Sequence, residues 1–298
     1  MDADGREDPA TTVFVAHRRL LFTVAYQILG SGADAEDVLQ ETWLRWSEVD
    51  LDRVENQRAY LVQIATRQAL MQLRALGRRK ESYVGPWLPE PLLTAPDVAD
   101  DVAFADSMSM PMMLVLETLG PVERAVFVLR EVFALDYGEI AEAVEKTPDT
   151  VRQIAGRARS HVGARRPRGT VSPSETRVAL GAFQRAVETG DLQAFLDVLA
   201  PGVVALNDGG GVRHAAVRPV VGAGKVVRLY ASGIAKVGAR LEFAPAQING
   251  GPALLLRLDG EIDGIVTMRV EDGLVTELYY VRNPEKLERL EAEIAVGR

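Results

Sequence analysis

LDYGEIAEAVEKTPDTVRQIAGRARSHV, residues 135–162, decides how the first half of this chain is built. Ile140, Ala141 and Val144, then Val151, Ile154, Ala155, Ala158 and Val162, recur at three- and four-residue spacing. Each set makes one apolar helical face. The first helix is expected at about 137–144 and the second opens at Thr147-Pro148, across a Glu-Lys-Thr turn. Threonine suits an N-cap and proline the first helical turn, where no backbone N–H is needed. Two short helices joined this way form a helix-turn-helix, whose second helix enters the DNA major groove. Its outward residues are Thr150, Arg152, Gln153, Arg157 and Arg159. Arginine and glutamine side chains read base edges bidentately, with about 1–3 kcal/mol of discrimination for each good pair.

Charge supports a localised DNA contact. The chain of 298 residues is acidic overall, with a formal net charge of −8. From Arg67 to Lys80, however, five basic residues stand without an acid, and from Lys146 to Arg168 seven stand against Asp149 alone. Two basic blocks in an acidic protein point to two phosphate contacts. The length allows two or three domains. With no cysteine and only His17, His161 and His214, widely spaced, neither a metal site nor any cofactor is expected. No apolar run approaches the roughly 20 residues that span a bilayer, and no signal peptide is evident, so a cytoplasmic protein without membrane contact is expected.

Three textures divide the chain. Residues 13–80 are helical, with a break at Gly30-Ser31-Gly32; residues 82–110 lose the pattern among Pro86, Pro89, Pro91 and Pro96; helical texture resumes at Pro111. In DAEDVLQETWLRW (34–46), Ala35, Val38, Leu39, Thr42, Trp43 and Trp46 form the inward face, and Asp34 is the expected cap. In the stretch 58–80, Leu61, Ile64, Ala65 and Leu73 are core candidates. After residue 174, two helices (about 174–189 and 191–199) precede short apolar runs, interrupted by a helix at 224–237. The Asp-Gly pairs at 259–260, 263–264 and 272–273 read as hairpin turns, and a charged helix from Pro284 closes the chain. Helices followed by an antiparallel sheet make an α+β unit.

These motifs resemble the extracytoplasmic-function sigma factors of bacterial RNA polymerase. DAEDVLQETWLRW is similar to the region that grips the polymerase largest subunit, which implies polymerase contacts for Asp37, Gln40, Glu41 and Leu44. Residues 58–80 are similar to the part that melts and reads the −10 element, implying DNA contacts for Arg67, Arg74, Arg78 and Arg79; Met71 stands where many relatives carry an acid. Residues 135–162 resemble the −35-reading domain, implying roles for Thr150, Arg152, Gln153, Gly156, Arg157 and Arg159. Core RNA polymerase and promoter DNA are the implied partners.

WLPEP (87–91), DGGG (208–211) and NPEKL (283–287) resemble the signature set of the SigJ-like branch, which carries a fused SnoaL-like, NTF2-like C-terminal domain. Val212 departs from it, standing where relatives usually have a basic residue. The linker's Tyr83, Trp87 and Leu88 make it too apolar for a free tether. The resemblance implies an interdomain regulatory set: Trp87, Leu88, Pro89, Glu90 and Pro91; Asp208, Gly209, Gly210 and Gly211; Asn283, Pro284, Glu285, Lys286 and Leu287. The expected organisation is two all-α sigma domains, 1–81 and 111–166, joined by the linker 82–110 and followed by an α+β domain at 172–298. The expected function is promoter-specific initiation, regulated in cis, by a protein that is not an enzyme and is monomeric when free. Two alternatives stay open: a stand-alone helix-turn-helix regulator, and a bifunctional protein whose C-terminal domain takes an unidentified small-molecule ligand or catalyses cyclase- or isomerase-like chemistry. The groups available for such catalysis are Asp208, His214, Asp259, Asp263, Tyr279 and Tyr280, with Asp259 and Asp263 explained by their turns.

Overall fold

The computed structural model describes residues 8–95, 98, 101–165, 172–236, 241–290 and 292–297, without the side chains of residues 78, 79 and 234–236. The chain divides into two compact units. One gathers the two helical blocks, up to Glu81 and from Met113 to Arg166, with the last few residues from Ala295; the other joins Ser82–Met112 to Pro167–Ile294. The linker thus groups with the α+β domain.

In the helical unit, α1 (Pro9–Leu29), α2 (Gly32–Trp46) and α3 (Gln57–Glu81) pack together. Gly30 ends α1 at φ 75°, the left-handed C-cap that glycine adopts without strain. Ser31, not Asp34, caps α2: the Ser31 hydroxyl accepts from the Asp34 N–H at 3.2 Å, while the Asp34 carboxylate accepts from Gln72 at 2.9 Å. The helix begins three residues earlier than a cap at Asp34 would place it, because serine's shorter side chain reaches the free N–H groups from an extended backbone. Trp46 is fully buried and donates its indole N–H to the Ala10 carbonyl at 2.8 Å. Leu61 and Ala65 of α3 are buried as expected, Ile64 and Leu73 only partly.

Two helices fall where helical texture was thought lost or just beginning: α4 (Val102–Met108), capped by Asp101, and α5 (Met110–Glu117). The proline-rich part before them masked a short amphipathic turn that buries Phe104 and Met108. Next come α6 (Pro121–Phe127), a π-helical turn at Val128–Val132, α7 (Tyr137–Val144) and α8 (Pro148–Arg165). Asp136 and Glu139 form a reciprocal capping box on α7, at 2.8 and 3.1 Å. Thr147 caps α8, accepting from Thr150 N at 3.3 Å. Val151, Ile154, Ala155, Ala158 and Val162 are all buried.

A buried ionic cluster ties α3, α5 and α6. Arg124, 1% exposed, donates to Glu117 at 2.6 Å and to the Gln27 carbonyl at 2.8 Å, and Lys80 reaches the same carboxylate. Burial alone raises the pKa of Glu117, but Arg124 and Lys80 outweigh it and hold the carboxyl below its usual value. A depressed folded-state pKa contributes stability above the unfolded value of about 4.3, and loses it as pH falls through the folded one. We expect the helical unit to lose stability on acidification below about pH 4.3, and Glu117→Gln to flatten that slope while costing about 1–3 kcal/mol at neutral pH. Melting curves recorded against pH check both.

In the second unit α9 (Pro173–Thr189) and α10 (Leu192–Asp197) precede β1 (Leu199–Asp208), β2 (Val220–Val221) and α11 (Ala223–Lys236). Then β3 (Leu241–Ile248), β4 (Gly251–Leu258), β5 (Glu261–Glu271) and β6 (Leu274–Val281) form a meander, and α12 (Pro284–Leu287) follows. The sheet order is β2-β1-β6-β5-β4-β3, antiparallel except for β1 beside β6. Its core packs Phe183, Phe195, Val203, Ala205, Val226, Leu256 and Val266 between helices and sheet. This is the expected class: two all-α blocks and an α+β domain.

The turns at Asp259-Gly260 and Asp272-Gly273 are as expected, with all four residues at positive φ. Asp263-Gly264 is not a turn. It lies inside β5, where a Cβ on Gly264 would stand 2.6 Å from the Tyr280 ring and 2.7 Å from the Val281 carbonyl oxygen. The glycine there serves close strand approach, which sequence alone does not distinguish from turn geometry. The hairpin between β3 and β4 turns instead at Asn249-Gly250, φ 52° and 75°. The closing helix is also shorter than expected, a single turn at Pro284–Leu287.

Candidate functional site

The three signature motifs meet around one carboxylate. Alternation along β1 points Asn207 and Asp208 to opposite faces of the sheet. Asp208 is fully buried. Its Oδ2 accepts from Leu88 N at 2.9 Å and from Lys286 Nζ at 2.7 Å; its Oδ1 accepts from the Tyr83 hydroxyl and from Gly210 N at 3.1 Å. Lys286 also donates to the Leu88 carbonyl at 2.6 Å and sits 3.5 Å from the centroid of the Trp87 ring. The Tyr83 ring lies 4.8 Å from it as well, so the ammonium is held by one carboxylate, one carbonyl and two aromatic rings, which compensates its removal from water. Asn283 caps α12 through Glu285 N at 3.2 Å and donates to Tyr83 at 2.8 Å. Leu88, Pro89, Glu90, Pro91 and Leu287 are buried, Trp87 and Pro284 partly so; Glu285 is exposed, with its backbone N–H bound by Asn283.

The glycines are explained by crowding. A Cβ on Gly209 would lie 2.2 Å from the Arg213 carbonyl oxygen, and one on Gly210, at φ 63°, would lie 2.5 Å from the Asn283 side chain. Gly210→Ala is expected to cost about 1–2 kcal/mol from the left-handed backbone alone, read as a lower melting temperature. Gly211 packs against Val84 of the linker, and Val212 beside it is exposed.

Beyond the latch, the linker adds an edge to the sheet. Leu92 N donates to Asn249 Oδ1 at 2.8 Å, Asn249 N to the Leu92 carbonyl at 2.9 Å, and Thr94 N to the Gln247 carbonyl at 2.9 Å. Sequence reading missed Tyr83 as a latch member, and Asn249 and Gln247 altogether; the Asn-Gly-Gly run at 249–251 was the only available signal. Burial first, and then the hydrogen bond to Asp208, raises the Tyr83 pKa. A raised folded-state value stabilises below the unfolded value of about 10 and is lost as pH climbs above it. The latch is therefore expected to loosen only in strong alkali, a loss that Tyr83→Phe removes in melts against pH.

In the helical unit, Asp37, Gln40 and Leu44 are exposed on one face of α2, with the partly buried Glu41 between them, ion-paired to Arg45 at 3.0 Å. Arg67 and Arg74 are exposed on α3; the side chains of Arg78 and Arg79 lie outside the described residues. Arg67 donates to the Glu142 carbonyl at 2.9 Å and lies 3.5 Å from the Glu145 carboxylate, both on the first half of the helix-turn-helix. On α8, Arg152, Gln153 and Arg157 are exposed, Gly156 is partly so, and their spacing puts them on one face. Arg152 pairs with Asp149; Thr150 turns back to Thr147; Arg159 leaves that face for Glu131, 3.4 Å away.

Of the groups considered for catalysis, Asp208 is committed to the latch. Asp263, 6% exposed, is paired with Arg282 at 2.7 Å and accepts from the Tyr280 hydroxyl at 2.8 Å. Tyr279 donates to Glu277, Asp259 occupies its turn, and His214 is exposed beside the Asp263–Arg282 pair, its carbonyl bound by Arg282 at 2.7 Å. Among the described residues no cluster suited to a metal ion occurs, and no helix is long and apolar enough to cross a membrane.

Known proteins place these features in a common frame. Residues 13–79 match sigma-70 region 2 and residues 109–162 match sigma-70 region 4. The chain is 37% identical to the ECF RNA polymerase sigma factor SigJ of Mycobacterium tuberculosis, covering 92% of this chain and 91% of that one. It is 31% identical to a probable ECF RNA polymerase sigma factor, SigI, of the same organism, over 98% of this chain and 99% of the other. The crystal structure of M. tuberculosis SigJ superposes with a TM-score of 0.74 at 32% identity, covering 93% of this chain and 98% of that chain.

Proposed function

The chain belongs to the extracytoplasmic-function RNA polymerase sigma factors, which direct core polymerase in promoter-specific initiation, and from that premise we propose that its α+β domain regulates it in cis by gripping the linker between the two promoter-reading blocks. The buried Asp208–Lys286 pair carries this reading. Residues 83–94, which follow α3, are held to the α+β domain through the latch and the β3–β4 hairpin. While the latch is closed, the chain between the −10 and −35 blocks is held at Tyr83, Leu88, Leu92 and Thr94 instead of being free there. The separation they can adopt is then fixed by the latch rather than by a flexible tether.

The exposed face Asp37–Gln40–Glu41–Leu44 is our assignment for polymerase binding. Arg67, Arg74, Arg78 and Arg79 are assigned to the −10 element. Arg152, Gln153, Gly156 and Arg157 are assigned to the −35 element, with Thr150 holding the helix start and Arg159 nearer phosphate. Because Arg67 is engaged by Glu142 and Glu145 here, its use on DNA requires that contact to open. The α+β domain receives no bond-making role, since Asp208 and Asp263 are already matched by cations and Asp259 is taken up by its turn.

Reconstituted transcription with core polymerase tests the proposal. The full chain is expected to yield promoter-specific transcripts, and Trp87→Ala, which removes the ring over Lys286, to change their level or promoter choice. Identical transcripts from both would sink cis control, and none from either would sink the residue assignments.

A further inference from the structure

The face of β1 opposite the latch borders a cavity of about 550 Å³ between α9, α11 and the sheet. Its walls are mainly apolar and aromatic. Phe183, Tyr230 and Phe243 set their rings edge to face, with centroids 5.4 and 6.2 Å from Phe183. The charged pair in the wall, Asp263 and Arg282, is internally neutralised. The wall also carries the exposed His214, and one buried polar group is left over. Asn207 is 4% exposed, and its Oδ1 accepts from the Tyr230 hydroxyl at 3.0 Å, while its Nδ2 has no hydrogen-bond partner. A buried amide donor is nearly always satisfied in a folded protein, so one left free against an apolar cavity calls for an acceptor from outside the chain. The latch plays no part in this: Asp208 faces away, and with Tyr230 donating to Oδ1 it is the Nδ2 end of the amide that is left without a partner.

We propose that this cavity is a binding site for an uncharged, planar molecule of two or three fused rings carrying a carbonyl oxygen, which accepts from Asn207 Nδ2. The volume lies within the range of about 300–1,000 Å³ usual for small-molecule sites, and one fixed polar group in an aromatic pocket is the arrangement that orients such a ligand. The neutral wall disfavours a charged one, whose desolvation nothing repays. The inference stands apart from the promoter role, because binding is read without polymerase or DNA.

The test is a fluorescence titration of the full-length protein with 6-propionyl-2-(dimethylamino)naphthalene, an aryl ketone on a fused two-ring system whose emission moves to the blue on burial. Saturable binding with a blue shift is expected, at least tenfold tighter than that of 2-(dimethylamino)naphthalene, which lacks the carbonyl. Asn207→Leu, close in size but without the donor, should cost the ketone at least tenfold and leave the carbonyl-free compound unchanged. Equal affinity of the two compounds for the unaltered protein overturns the proposal whatever becomes of the variant. So does the absence of saturable binding, or a preference for 2-naphthol, which offers a donor instead.

Discussion

Lys286→Met is expected to open the latch and to destabilise the α+β unit by about 3–5 kcal/mol, the range for removing one partner of a buried ion pair. Methionine fills the aliphatic stem against Trp87, so the loss is electrostatic rather than steric. It leaves the Asp208 carboxylate fully buried, still bound by Leu88 N and the Tyr83 hydroxyl but without its cation. The Leu88 carbonyl loses a donor at the same stroke. Hydrogen exchange at the Leu88 and Leu92 amides checks the result directly, because both N–H groups are held by side chains of the α+β domain. Faster exchange at Leu88 than at Leu92 marks local release of the latch. Equal acceleration marks loss of the whole linker edge, and unchanged protection at both shows that Lys286 holds nothing. Asp208→Asn should be milder, since an amide oxygen still accepts from Leu88 N while Lys286 keeps the Leu88 carbonyl and the aromatic face.

How far this arrangement was legible in the chain depends on what each residue reports. The helix-turn-helix was readable because apolar spacing, a threonine cap and a first-turn proline all state the same thing within 28 residues. Membership of the latch was readable only through motif resemblance. Nothing in the composition of WLPEP says that its backbone will meet a carboxylate 120 residues away. Asp263-Gly264 shows the opposite failure. The dipeptide has the chemistry of a turn, but Asp263 is spoken for by Arg282 and the glycine by the ring of Tyr280, both long-range facts. Asn207 escaped notice because an asparagine in a strand carries no local signature; its meaning lies in the unmatched half of its amide. Cap positions erred for a simpler reason: Ser31 and Asp34 are both good caps, and the backbone chose the residue already extended.

The same separation of local from long-range information shapes the expected behaviour of the −35 face. Arg152→Ala combined with Arg157→Ala should lower promoter-specific transcription at least about 25-fold, on the basis of about 1–3 kcal/mol for each base contact and tenfold for each 1.4 kcal/mol. Neither change should disturb the fold. Both side chains are exposed, and the ion pair of Arg152 with Asp149 is a solvent-facing contact of the kind that contributes less than about 1 kcal/mol. Binding to core polymerase should be unaltered, because the face assigned to it lies on α2. Arg159→Ala makes the informative contrast. Its guanidinium sits off the reading face, near Glu131, so its loss should weaken binding evenly across promoter sequences and reduce the salt dependence by about one phosphate contact. Promoter binding measured against salt for the three proteins separates the cases. A double variant that weakens all sequences alike would make Arg152 and Arg157 phosphate contacts and move base reading to Gln153. A double variant that loses polymerase would remove α8 from the promoter altogether.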